Sequence, residues 1–275
     1  MSPISIKPRL KFLAVLGAGS FALAQFLTAA AFRRRTDAIF ARLQDTPATE
    51  RPPAPIPTIA RSYFQRTLCE RATPSVVWLR QTGEMRSAPD APWWPFTAEQ
   101  VINIHHPGFA WFARMQAVPL LSAHVLDCYV DGEGLLEVRL WGSWPLARLA
   151  GPEVGRGELM RYLAELIWAP HAMLHNPELS WREIDATTVE VSARSAHGPA
   201  RVKLVFDNGD IIRMEADDRP RAIGRHIVPT RWQGWCSSYR EIGGCRIPTE
   251  AVVSWLLDGE PFEYWRGKIT AFGMK

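Results

Sequence analysis

The sequence is poor in the residues and motifs that mark the common catalytic and metal sites. Its cysteines form no Cys-x-x-Cys pair, which disfavours a zinc ribbon or a thioredoxin-type redox site. A phosphate-binding loop, a dinucleotide fingerprint and a Gly-x-Ser-x-Gly elbow are also absent, which argues against NTPases and α/β-hydrolases. We expect the cysteines to be buried as free thiols. A Cys236–Cys245 disulfide is the alternative in an oxidising compartment, and the other two cysteines are Cys69 and Cys128.

Positive charge is concentrated at the N-terminus. Residues 1–45 hold seven basic and two acidic residues, whereas the rest of the chain holds 25 basic and 26 acidic ones. Domains that bind nucleic acid typically carry a basic patch or stripe. Because the body has no excess of positive charge, the sequence predicts no nucleic-acid partner.

A single long apolar run lies within that basic segment. Residues 12–32 carry no charge, and as a helix they would span about 31 Å, close to the thickness of a bilayer core. We therefore predict that residues 1–45 contain a single-pass transmembrane helix with its flanks. A cleaved signal peptide and a buried helix are the alternatives, but three arginines directly after the run disfavour cleavage. Basic residues on both sides leave the orientation open.

The remainder is predicted to be a proline-rich linker, residues 46–57, followed by one domain, residues 58–275. Residues 58–72 are typical of a short amphipathic helix. The segments that follow alternate apolar and polar residues, as in 109–115, which is the pattern of antiparallel strands with one wet face. Hairpin turns are predicted at 131–134, 207–210 and 243–244. The predicted strands are 76–81, 98–104, 109–116, 123–130, 135–141, 188–194, 201–207, 211–216, 232–240, 246–257 and 264–272.

One segment of the body shows helical periodicity. Residues 157–168 place Leu159, Tyr162 and Leu163 on one apolar stripe, and Pro170 ends the helix. The predicted fold is therefore mainly β with α, a large curved antiparallel sheet covered by a central helix.

Aromatic residues are abundant, with twelve tryptophans. Ligand pockets are lined mostly by apolar and aromatic side chains, so a cavity for an apolar ligand is one hypothesis, and a solid core is the other. The candidate ligand-binding residues are Trp94, Phe96, Trp111, Tyr162, Trp168 and Trp181.

Charged side chains offer a second candidate site. Two carboxyl groups that converge can serve as general acid and base, although the sequence does not show convergence. The candidate polar cluster consists of Glu99, Arg114, Asp127, Arg161 and Glu165; solvated or structural roles are the alternative.

Histidine spacing gives no support for a metal site. His171 and His175 are four residues apart, which would suit two metal ligands on a helix, but Pro170 and Pro177 bracket them and no third ligand is fixed by spacing. We predict no metal and no cofactor.

The sequence also resembles a bacterial family of unknown function. The matching motifs run in family order over residues 60–272, so the resemblance covers most of the chain. A looser resemblance, at the level of the fold, is to the half-barrel of bacterial lipoprotein carriers, in which a curved sheet wraps helices and shelters acyl chains. The main motifs are GEMR at 83–86, WWPFTAEQ at 93–100, PGFAWFAR at 107–114, GELMRYLAE at 157–165 and YWRG at 264–267.

From these observations we expect a membrane-anchored, non-catalytic protein that binds a lipid or another apolar molecule. The alternatives are an enzyme acting on a membrane-derived substrate through the polar cluster, and a structural or partner-binding domain with a solid core. We expect the protein to be located in the bacterial inner membrane, with its body on the periplasmic side. The opposite orientation, the identity of the ligand and any protein partner are left open by the sequence.

Overall fold

A computed structural model describes residues 7–47, 52, 54–67, 74–118, 121–224 and 226–275, with the backbone alone for 7–19 and 117. Cys69, the end of the predicted helix 58–72, and residues 48–51 and 53 of the predicted linker lie outside this description.

The described part of the body forms one antiparallel sheet of thirteen strands. Their spatial order is β6-β5-β4-β3-β2-β1-β13-β12-β11-β10-β9-β8-β7, so two meanders run outward from the central pair β1 and β13. The prediction of an antiparallel sheet is therefore confirmed. The strands are β1 Val76–Met85, β2 Trp94–Asn103, β3 Phe109–Val118, β4 Leu121–Val130, β5 Glu133–Leu140, β6 Trp144–Ala150, β7 Ser180–Glu183, β8 Thr188–Ser195, β9 Gly198–Asp207, β10 Asp210–Ile223, β11 His226–Ile242, β12 Cys245–Leu257 and β13 Glu260–Met274.

Tight turns connect the strands where the sequence predicts them. Asp131 and Gly132 have φ angles of 54° and 85°, and Asn208 and Gly209 have 48° and 80°. Two successive residues with positive φ form the hairpin turn that matches the twist of the flanking strands. The glycine pair 243–244 joins β11 to β12 in the same way.

Two edge strands were not predicted from the sequence. Strand β6 is mostly exposed and shows no apolar alternation, and β7 has only four residues. Period-two patterning marks strands with one buried face, so it does not reveal strands of this kind.

The helices lie on different faces of the sheet. Helix α3, Pro152–Ala164, contacts β4, β5 and β6 on one wing of the sheet and β8, β9 and β10 on the other. Since these wings are far apart in the strand order, the sheet curves around α3, as expected. The α-helical part starts five residues before the predicted 157, and a 3₁₀ turn, Glu165–Ile167, continues it. Two shorter helices are α2, Thr58–Thr67, and α4, Pro170–His175.

Helix α1, Lys7–Asp45, is longer than the predicted apolar run. Its C-terminal half packs on the convex face of the sheet, where Phe32 and Leu43 join a cluster with Phe112 and Leu126. Within the described part of the chain, no helix is long and apolar enough to cross a membrane.

Candidate functional site

A cavity of about 260 Å³ lies between α3 and the concave face of the sheet. We call it the α3 cavity. Most of its wall is apolar, with methionine and aliphatic side chains from both wings of the sheet. Its six aromatic side chains are Trp111, Trp168, Trp232, Trp255, Tyr264 and Trp265.

Helix α3 turns a charged stripe toward the cavity. Glu158, Arg161 and Glu165 follow each other at intervals of three and four residues, and such positions share one side of a helix. The fully buried Leu159 and Tyr162 pack into the core on other sides of the same helix. A helix that is polar on one stripe normally exposes that stripe to water, whereas here the polar stripe is largely buried and lines the cavity.

Arg161 holds two carboxylates at the cavity wall. Its Nη1 donates to Oδ2 of Asp127 at 2.5 Å, and its Nε donates to Oε1 of Glu165 at 2.8 Å. The guanidinium carbon also lies 4.7 Å and 5.2 Å from the ring centroids of Phe109 and Trp111. Charge-assisted hydrogen bonds of this kind are stronger than neutral ones, so helix and sheet are firmly joined here.

A chain of neutral hydrogen bonds completes the coordination of Glu165. The indole nitrogen of Trp111 donates to Oε1 of Gln81 at 2.8 Å, and Nε2 of Gln81 donates to Oε1 of Gln100 at 2.8 Å. Gln100 in turn donates from Nε2 to Oε2 of Glu165 at 2.5 Å. Each amide is thus fixed in orientation, and both oxygens of Glu165 are satisfied.

Burial sets the protonation of this cluster. Desolvation raises the pKa of Glu158 well above its ordinary value, the charge of Asp127 raises it further, and Arg219 opposes the shift. Desolvation also raises the pKa of Glu165, against the attraction of Arg161. For Arg161 burial alone would lower the pKa, but the carboxylates of Glu165 and Asp127 outweigh it and raise the pKa. Arg161 therefore stays charged, while Glu158 holds a proton more readily than an exposed glutamate.

A second arginine lines the cavity from β10. Arg219 is 9% exposed, and its guanidinium carbon lies 4.9 Å from the ring centroid of Trp232 and 5.6 Å from that of Trp255. Its Nη1 donates to the Tyr264 hydroxyl at 3.4 Å, whereas its Nε is buried and has no hydrogen-bond partner in the described part of the chain. Unlike Arg161, Arg219 has no carboxylate within ion-pair distance among the described residues.

The structure places the six candidate aromatic residues in different surroundings. Trp111 and Trp168 line the α3 cavity. Phe96 packs behind Trp111, with 5.5 Å between ring centroids, and Tyr162 is buried and donates to the carbonyl of Asn103. The remaining two, Trp94 and Trp181, lie on β2 and β7 and do not line the cavity.

The five candidate polar residues divide between the two faces of the sheet. Asp127, Arg161 and Glu165 meet at the cavity. Glu99 and Arg114 instead lie on the convex face, where Glu99 is 3.7 Å from Arg80. Successive residues of a strand point to opposite faces of the sheet. Arg114 follows Trp111 by three residues, so its side chain points away from the concave face on which Trp111 lies.

Several cavity residues were not among the candidates. Glu158 was recoverable from its helical spacing to Arg161 and Glu165. Arg219 was not, because a register shift between Ala216 and Arg219 decides which way its side chain points. The aromatic residues Trp232, Trp255, Tyr264 and Trp265 are adjacent only because β11, β12 and β13 pair.

The histidines and cysteines that the structure describes do not line this site. His171 is buried edge-on against Phe64, and burial lowers its pKa to about 4. Among the described residues no group of three side chains could hold a metal ion. Cys128, Cys236 and Cys245 are buried, and the Cys236–Cys245 bridge, which was the alternative to the expected thiols, is not formed. The two residues occupy paired strands but do not face each other in the register.

Fold and site together define a β-protein in which one curved sheet and one helix enclose a largely apolar cavity. The chain belongs to a family of unknown function, DUF6544, whose model matches residues 46–267. The resemblance to an uncharacterised family is thereby confirmed. No curated protein matches the sequence.

Two solved structures show a distant likeness. A DUF1329 family protein from Desulfovibrio piger is 10% identical with a TM-score of 0.42, and the match covers 79% of this chain and 90% of that one. A LolA superfamily protein from Nitrosomonas europaea is 10% identical with a TM-score of 0.38, covering 79% of this chain and 92% of that one. Likenesses this remote carry no argument about function.

Proposed function

We propose that the protein binds one small lipid or another apolar molecule in the α3 cavity, without transforming it. The observation that carries this proposal is the cavity of about 260 Å³ with its six aromatic side chains. A dry cavity of about 150 Å³ is enough to hold benzene, and ligand pockets begin at about 300 Å³. The space therefore suits a slender molecule such as a single alkyl chain. It also weighs against the alternative of a solid core.

We also propose that α1 anchors the protein in a membrane. Leu23 and Phe26 are 58% and 70% exposed on this helix, and Phe21 and Leu27 are similarly exposed. Soluble proteins rarely leave such a cluster of large apolar side chains in water, so a lipid environment accounts for it best.

The hairpin between β5 and β6 supports the same placement. A Cβ atom on Gly142 would lie 3.7 Å from the Cβ of Ala29, so this hairpin adjoins the apolar part of α1. Trp144 and Leu146, which follow on β6, are exposed as well. Tryptophan is enriched where membrane meets water, and the hairpin would rest on the bilayer surface.

Native mass spectrometry of the full chain, released from nanodiscs, tests ligand binding. We expect a bound apolar molecule that organic extraction recovers and identifies. Val253→Trp fills the cavity from β12 and should abolish the bound mass. Val252→Trp adds the same side chain one residue away on the other face of that strand, so it should retain the ligand. A wild-type protein that is empty, and that takes up no alkyl probe, would overturn the proposal.

An enzyme is the second candidate, because three candidate residues converge on the cavity. Asp127, Arg161 and Glu165 meet there, and Glu158 adds an acid with a raised pKa. Buried carboxyl groups with shifted pKa values are frequent in active sites. The candidate substrate class is a membrane-derived lipid whose reacting group lies beside Glu158.

Incubating the protein with extracted membrane lipids separates the two candidates. A binding protein leaves the mass spectrum of the lipids unchanged, whereas an enzyme consumes one species and forms another. That conversion should vanish in Glu158→Gln and persist in Glu153→Gln, which changes an exposed glutamate of the same helix. Product formation that needs Glu158 would replace the binding proposal with the enzymatic one.

A further inference from the structure

We propose that the ligand of the α3 cavity is an amphiphile with an anionic head, a carboxylate or a phosphate, and that Arg219 binds this head. This inference rests on the proposed function, and it specifies the chemical class of the ligand. Its basis is a contrast between the two cavity arginines.

The charge of Arg161 is balanced by the protein itself. Asp127 and Glu165 both accept from its guanidinium, and Phe109 and Trp111 cover the group. Arg219 has the opposite surroundings, because two indole rings and a phenol neighbour it and none of the residues that the structure describes accepts a hydrogen bond from its buried Nε. A buried charge without a partner is costly unless something neutralises it. A ligand anion would remove that cost.

Glu158 does not take the place of the missing anion. It lies near enough for Arg219 to influence its pKa, yet the two side chains form no ion pair within 4.0 Å. Burial raises the pKa of Glu158, which favours its neutral acid form. Among the described residues, no carboxylate therefore supplies the counter-charge of Arg219, and a ligand anion would supply it.

Tyr264 provides a second donor at the same place. Its hydroxyl oxygen accepts from Nε1 of Trp232 at 2.9 Å and from Nη1 of Arg219 at 3.4 Å. Both bonds use the lone pairs of the oxygen, so the hydroxyl proton is available, and no acceptor among the described residues receives it. An oxyanion beside Arg219 and Tyr264 would collect two hydrogen bonds, one of them charge-assisted.

The position of Arg219 also suits a head group. Ala222 and Ile227, which line the cavity near the end of the β10–β11 hairpin, are exposed or partly exposed, whereas Ile167 and Ala251 line it from buried positions. Arg219 stands close in sequence to the exposed end. A head bound at Arg219 would leave the alkyl chain to fill the apolar interior.

Four probes with the same ten-carbon chain test this inference on the full chain in zwitterionic nanodiscs. Decanoate and decyl phosphate carry anionic heads, decanol is neutral and decyltrimethylammonium is cationic. Binding is measured by the change in tryptophan fluorescence. We expect both anions to bind about tenfold more tightly than decanol, the gain typical of hydrogen bonds to charged groups, and the cation to bind most weakly. The carboxylate and phosphate arms distinguish fatty acids from phospholipid-type ligands.

Variants test whether Arg219 is the residue that causes the preference for anionic heads. Arg219→Gln should weaken the binding of both anions about tenfold and leave decanol unchanged. Arg213→Gln is the matched control, since Arg213 lies on the same strand but stacks on the exposed Trp235, and it should change nothing. If Arg219→Gln does not fold, Tyr264→Phe provides an independent test. It should weaken the binding of the two anions severalfold and leave the binding of decanol unchanged.

The outcomes separate this inference from the proposed function. If decanol and the anions bind equally well, and neither Arg219→Gln nor Tyr264→Phe changes this, the proposal of an anionic head is wrong. The proposed binding of an apolar molecule would remain. Failure of all four probes to bind would overturn the proposed function itself.

Discussion

Arg161 of α3 and Asp127 of β4 form an ion pair of 2.5 Å between Nη1 and Oδ2, with both side chains largely buried. This contact joins the helix to the sheet that curves around it. Since Glu165 also pairs with Arg161, this one cation serves two carboxylates at the cavity wall.

Removing this cation should destabilise the domain. Arg161→Met leaves Asp127 and Glu165 buried without their partner, at a cost of about 3–5 kcal/mol. We expect the midpoint of thermal unfolding, measured by near-UV circular dichroism, to fall by about 10 °C. Arg156→Met is the control on the same helix, because its partner Asp218 is exposed, and it should cost about 1 kcal/mol or less. Equal losses in the two variants would contradict the role given to Arg161.

Stability should fall as the pH rises, because of Glu158. Its folded-state pKa is raised above the value in the unfolded chain, so the folded state binds the proton more tightly. The stabilisation is complete below the unfolded pKa and is lost as the pH passes the raised folded pKa. Glu158→Gln stays neutral throughout, so its thermal midpoint should fall less between about pH 5 and pH 9.

The control for this titration is Glu153→Gln, an exposed position on the same helix. It should retain the pH dependence of the wild type. Identical slopes for wild type and Glu158→Gln would show that Glu158 does not supply the linkage.

The central strand pair should not tolerate a side chain at Gly83. A Cβ there would lie 2.2 Å from the carbonyl oxygen of Arg266 and 2.7 Å from Cζ of Phe96. Gly83→Ala should therefore destabilise the sheet by about 1–3 kcal/mol, as overpacking does. In Gly157→Ala the atom nearest to the new Cβ belongs to Pro220 and lies 3.6 Å away, an ordinary contact, and the position is within a helix, where alanine is preferred by up to about 1 kcal/mol. Chemical unfolding of the two variants should show shifts of opposite sign.

A charge in the apolar half of α1 should weaken membrane attachment. Leu23→Arg places an arginine near the centre of the proposed span, where it costs about 3 kcal/mol. We expect a larger share of the protein in the supernatant after an alkaline carbonate wash. Ala38→Arg, an exposed position outside the apolar run, should remain in the membrane pellet. Complete retention of Leu23→Arg would argue against the anchor.

The sequence predicted the elements that have a strong local signal. Alternation along 109–115 identified β3 and the face that Trp111 shares, and the spacing of Leu159, Tyr162 and Leu163 identified the helix. The same alternation placed Arg114 on the face opposite Trp111. Grouping Arg114 with Asp127 therefore ignored a signal that the chain already contained.

The site was predicted less completely, since its members come from distant parts of the chain. Arg161 and Glu165 were candidates because they are neighbours on one helix. Arg219 reaches the cavity through a register shift in β10 that leaves no mark in the sequence. Trp255 and Tyr264 stack at 5.6 Å because β12 pairs with β13.

By itself, then, the sequence determined the antiparallel strands, the covering helix, the basic apolar N-terminus and the lack of common catalytic motifs, because periodicity and composition are local properties. Only the tertiary structure decided that the charged stripe of α3 faces a cavity and that, among the described residues, one arginine there has a carboxylate partner while the other has none. Curvature of the sheet and strand register decide both, and each arises from contacts between residues far apart in the chain.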